Sequence, residues 1–209
     1  MLSFDCRRLL LVAAIVVLPA TLLHAALPTH TNVPNRVFLT GQLLIASPQL
    51  RQSAFDHAVV LVAQHNRDGA FGIVINRPID KKPIASLLTA FGVDANGVTD
   101  SVRIFSGGPV DPTVALVIHS IDYRRPDTMD IDGRVGLTAA VDVLRDIGTG
   151  KGPHKRLVVF GYAGWAPAQL EDELARGVWV SVPEELDLVF DEDRSKVWAD
   201  ALARLKPAR

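Results

Sequence analysis

Residues 57–78 constrain the chain more than any other stretch. HAVVLVAQH and AFGIVINRP are apolar runs rich in β-branched residues, and the polar tetrad NRDG separates them. Such a pair predicts two strands joined by a tight hairpin, the first of them buried and the second ending at Pro78. With 209 residues, of which 48% are apolar and 22% charged, the chain can bury a substantial core around that hairpin in one compact domain.

Other elements follow from periodicity and punctuation. LLIASP (43–48), VRIF (102–105), TVALVIHS (113–120) and VWVSV (178–182) read as strands. Residues 83–91 place Ile84, Leu87, Leu88 and Phe91 at helical spacing before Gly92, and residues 138–147 do the same with Ala139, Val143, Leu144 and Ile147 before Gly148. FGYAGW (160–165) is expected to be a turn that follows the strand RLVV and leads into a helix opened by Pro167 and closed at Gly177. PEELDLVF and RSKVWADALARL give two more helices. Five or six strands mixed with helices, without strict alternation, indicate the α+β class with a mixed sheet.

The first residues carry a different signal. Arg7 and Arg8 precede an apolar stretch from Leu9 to Ala20, followed by Leu22, Leu23, Ala25 and Ala26, the order of a secretory leader. Residues 1–25 are therefore expected to be a signal peptide or, with the apolar run 9–27 retained, a membrane anchor. A linker over 26–36 and a globular domain over 37–209 complete the organisation, and the expected location is outside the cytoplasm. A start codon assigned incorrectly is the alternative, which would leave the protein cytoplasmic. Cys6 lies ahead of the apolar run and is the only cysteine, so a cleaved product has no disulfide, thiol nucleophile or thiolate metal site.

Charge narrows the partners. A net charge of −1 offers no general attraction for nucleic acid. Residues 171–193 hold nine acids against Arg176, a segment expected to form solvated helix faces and to repel phosphate. GTGKG (148–152) is not a phosphate-binding loop, because it runs from helix to strand and lacks the Ser/Thr that holds magnesium. Ser106 has no G-x-S-x-G context, and the histidines show no metal-ligand spacing, so neither metal nor cofactor is expected.

What remains is a set of strand-end residues: His65, Asn66, Asn76, Arg77, Gly107, Gly108, His119, Gly161, Tyr162, Gly164 and Gln169. Loops at strand ends commonly gather binding groups, and these residues would line a groove for a small molecule or peptide. The same residues also suit turns and hairpin caps. Within the set, Trp165 is expected to anchor its turn in the core while Tyr162 faces the groove with Gln169 and His119.

LLIASP, AVVLVAQHNRDGAFGIVINRP, GGPV with HS following, and GYAGWAPAQLEDEL occur in an order and approximate spacing that resemble the AlgH/YqgE family of bacterial proteins, over about residues 40–190. The resemblance implies a single α+β domain whose bifurcated mixed sheet closes into a pseudo-barrel with flanking helices. It implies no catalytic residues; the family is largely uncharacterised, and its name derives from a proposed transcriptional role in alginate production. Three functions stay open: a non-enzymatic binding or regulatory module, a cofactor-free hydrolase using His65, His119 or Ser106, and a transcriptional regulator, which both the charge and the leader disfavour.

Overall fold

The computed structural model describes residues 38–205; the expected leader and linker lie outside the described residues. The chain runs β1 (Gln42–Ala46), β2 (Val59–Asn66), β3 (Gly69–Val74), β4 (Pro78–Pro83), α1 (Ile84–Ala90), β5 (Ser101–Ser106), β6 (Val110–Ser120), β7 (Met129–Ile131), β8 (Val135–Ala139), α2 (Ala140–Gly148), β9 (Arg156–Trp165), α3 (Gln169–Ala175), β10 (Trp179–Pro183), α4 (Leu186–Phe190) and α5 (Val197–Ala203). The strands form one sheet in the order β10-β1-β2-β3-β9-β6-β8-β7, with β4 and β5 as a branch. Every ladder is antiparallel except β5 on β9, so the sheet is mixed. It curls into a half-barrel with flanking helices in a single α+β domain.

The expected hairpin is β2 and β3, and its apolar continuity has a physical cause. Val59, Leu61 and Ala63 enter a core shared with Leu43, Ile73, Ile118 and Val159 and capped by Leu188 of α4 and Val197 of α5. Val60 and Val62 point the other way, into a second core with Leu44, Trp165, Leu170 and Trp179. Over residues 59–63 the strand is covered on both faces and leaves no position for a polar residue. A third core joins Ile84 and Leu88 of α1 to Val143 and Leu144 of α2, across Val102, Val117 and Val158.

The branch occurs at β9. One edge of this strand pairs with β6. Its other edge is divided: Val158 to Phe160 pair with β5 in parallel, whereas Ala163 to Trp165 pair with β3 antiparallel. Gly161 lies between the two halves with φ +75°. Gly107 is the stitch at the fork, donating its N–H to the Phe160 carbonyl at 2.7 Å and accepting from Val74 N–H at 2.8 Å.

Several local expectations change. GYAGW is the second half of a ten-residue strand, because β3 and β6 offer its backbone ladder partners that no local pattern announces. Pro167 does not open the following helix; α3 starts at Gln169 after Ala168, which takes a left-handed φ of 64°. The helix expected from residue 138 begins at Ala140, since Thr138 and Ala139 belong to β8. Strand β4, whose six residues PIDKKP are all exposed, carries no hydrophobic pattern and exists only because β5 pairs with it.

Candidate functional site

The eleven strand-end residues do not form one groove. Asn76 and Arg77 brace the entry to β2: Asn76 accepts from Val59 N–H at 2.9 Å and donates to the His57 carbonyl at 2.9 Å, and Arg77 donates to the carbonyls of Ala54 and Asp56. Asn66 turns the hairpin by accepting from Asp68 N–H at 2.8 Å. His65, buried on β2, accepts at Nδ1 from Leu39 N–H at 3.1 Å and brings Nε2 within 3.6 Å of Glu171. Gly107, Gly108 and Gly161 are the close-packed backbone of the fork.

Tyr162, Gln169 and His119 are also apart. His119 lies opposite Arg156 and Tyr162 opposite Val110 on the same ladder, six residues along β9 and hence about 20 Å distant. Tyr162 packs its ring on Phe71 at 5.0 Å, and burial raises its phenol above the usual range, followed by the Asp111 charge. Gln169 is exposed and ties the chain locally, accepting from Ala166 N–H at 3.0 Å.

His119 is fully buried and its ring is committed on both sides. The Ser120 carbonyl can only accept, so Nδ1 carries the proton that reaches it at 3.0 Å. Nε2 then accepts from the Thr138 hydroxyl at 2.9 Å, and that oxygen in turn accepts from Thr128 at 2.8 Å. Burial pushes the imidazole below its ordinary pKa, outweighing the opposing pull of the Ser120 carbonyl. This is an interior hydrogen-bond chain, and Ser106 is bonded to neither His65 nor His119 among the described residues.

The acidic run 171–193 is not uniformly a solvated face. Oε2 of Glu173 accepts two indole N–H groups, from Trp165 and from Trp179, both at 2.8 Å. Trp165 is 6% exposed, as expected of a core anchor. Glu184 is buried as well, 3.4 Å from Arg134, and burial raises its carboxyl pKa. Sequence reading missed both carboxylates, since nothing local distinguishes them from their exposed neighbours.

A cleft lies elsewhere among the described residues, between β5, the start of β9 and the segment after α4. Its volume is about 440 Å³. Arg103, Lys155, Arg156 and Arg194 line it, against Asp191 and Glu192, with Phe105 and Phe190 as aromatic wall. Arg194 is 7% exposed, donates through Nη1 to the Val189 carbonyl at 2.9 Å, and stacks over the Phe105 ring at 5.4 Å. Among the described residues its Nε has no hydrogen-bond partner. Burial lowers its guanidinium pKa to about 10, partly offset by the Asp191 charge. Among the described residues no three metal-ligating side chains converge, and no helix is long and apolar enough to cross a membrane.

A family model described as AlgH-like matches residues 43–208. The chain belongs to the AlgH-like family. A UPF0301 protein of Methylococcus capsulatus is 40% identical over 163 residues, covering 78% of this chain and 89% of its own length. Another from Afipia carboxidovorans is 37% identical, covering 86% and 89% respectively. The solution structure of the AlgH protein from Pseudomonas aeruginosa superposes with a TM-score of 0.70 at 30% identity, over 86% of this chain and 94% of that one. In this AlgH-like chain the stretches that carry the family resemblance build the hairpin, the fork and the Trp165 corner. The lining of the cleft comes from residues 101–105, 154–158 and 190–194, outside all of those stretches.

Proposed function

We propose that this AlgH-like chain is a non-enzymatic binding module whose ligand occupies the cleft between β5, β9 and the segment after α4. The observation that carries this reading is Arg194, a nearly buried guanidinium on the wall of a cavity of about 440 Å³ whose Nε has no partner among the described residues. A cavity of that size suits a small organic molecule, and a convergent polar group on an otherwise partly apolar wall supplies orientation. The non-enzymatic half draws support from the histidines: His119 has both ring nitrogens committed in the interior, and His65 spends Nδ1 on a backbone amide. A general base must reach the proton it takes; neither of these rings lines the cleft, and His154, the histidine that does, turns Nδ1 to Asp122 at 3.2 Å.

The test is native mass spectrometry of the chain purified under mild conditions, alongside Ser101→Trp, which sets an indole at an exposed position of the cleft lining. A small molecule retained by the wild type and depleted in the variant is the expected result. Equal retention by both proteins refutes the location, and chemical conversion of the retained molecule refutes the non-enzymatic assignment.

A further inference from the structure

We infer that the cleft recognises a phosphate monoester, its phosphate seated among Arg103, Arg156 and Arg194 and its organic part against Phe190. The inference rests on the cleft being the binding site and adds the ligand class. Three arginines line the cleft, and each is bonded to a neutral backbone carbonyl: Arg103 to Glu192 at 3.1 Å, Arg156 to Pro153 at 3.1 Å and Arg194 to Val189 at 2.9 Å. Among the described residues none of the three has a carboxylate in ion-pair range. Arg124, Arg125, Arg134 and Arg204 elsewhere in the fold all do.

Arg194 is the desolvated one of the three, offset only by the charges of Asp191 and Glu192 beyond ion-pair range, and an anion entering the cleft relieves that cost. The single carbonyl contacts hold each fork in place while leaving most of its N–H donors for a ligand. A planar carboxylate presents two oxygens, too few for three guanidiniums approaching from different elements, whereas a phosphate presents three and carries the larger charge. Lys155 adds a fourth cation, so the lining stays positive against Asp191 and Glu192. The cavity exceeds a bare phosphate, and beside Ser101 and His154 its wall carries the apolar Val102, Phe105, Leu157, Val158 and Phe190, which asks for an ester with an apolar or aromatic group.

The experiment is calorimetric titration of the full chain at low salt with phenyl phosphate, inorganic phosphate and benzoate. Phenyl phosphate is expected to bind most tightly, and Arg194→Gln and Arg103→Ala each to weaken it about tenfold or more, the size of a lost charge-assisted hydrogen bond. Arg103→Ala and Lys155→Ala alter exposed residues, so they decide the matter if Arg194→Gln fails to fold. Benzoate binding as tightly as phenyl phosphate, no saturable binding, or wild-type affinity in Arg103→Ala and Lys155→Ala would each overturn the inference. A molecule displaced by Ser101→Trp together with indifference to phenyl phosphate would sink the ligand class alone and leave the binding module standing.

Discussion

Gly107 and Gly161 meet backbone to backbone at the fork of the sheet: a Cβ on Gly107 would fall well inside the contact distance of the Gly161 carbonyl oxygen. The same glycine bonds both Phe160 and Val74, so it cannot withdraw without opening two ladders. Gly107→Ala is expected to cost roughly 2–4 kcal/mol of stability, more than ordinary overpacking, because the obstructing atom is backbone. Gly164 is the contrast. Its nearest neighbour to a new Cβ is a Tyr162 ring atom at 3.9 Å, and it does not take a positive φ. Gly164→Ala should stay within about 0.5 kcal/mol of wild type in denaturant unfolding. Equal effects of the two substitutions would refute the steric account of the fork.

Glu173 supports two indoles with one carboxylate oxygen. Glu173→Leu leaves both N–H donors without an acceptor in partly buried surroundings, a loss of roughly 2–4 kcal/mol. Glu173→Gln retains an acceptor oxygen and should lose about half as much. Trp165→Ala empties a core position and should cost about 3–5 kcal/mol. Thermal or urea melts rank the three, and a neutral Glu173→Leu would show that the clamp contributes nothing.

His119 predicts a pH dependence. Burial holds its folded-state pKa below 6.5, the ordinary value, so the unfolded chain binds a proton more readily than the folded one. The stability from keeping this ring neutral is complete above about pH 6.5 and is lost as pH falls from there toward the folded-state value. Urea midpoints measured across that range should therefore drop on acidification, and His119→Gln should flatten the profile. An unchanged slope in the variant would assign the acid sensitivity to the other titrating groups.

The hairpin at 57–78, the helices near 84 and 140, and the α+β class were legible because each depends on short-range pattern: β-branched runs, 3.6-residue spacing, glycine and proline at the ends. GYAGW misled for the same reason. Two glycines in six residues read locally as a turn, and only the arrival of β3 and β6 on either side makes them a strand in which Gly161 relieves the kink at the fork. The strand-end residues were found as a set by composition and then dispersed by the sheet, with His119 some six ladder positions from Tyr162.

By itself, then, the sequence determined the core, the class and the hairpin, since apolar periodicity records which faces must leave water. The cleft was decided only in three dimensions. Arg103, the Lys155–Arg156 pair and Arg194 lie far apart along the chain, and each reads locally as an ordinary surface cation. Packing of the α4–α5 segment against β5 and β9 removes Arg194 from water without bringing a carboxylate of the described residues into ion-pair range, and that desolvation is a property of the assembled fold which no local window encodes.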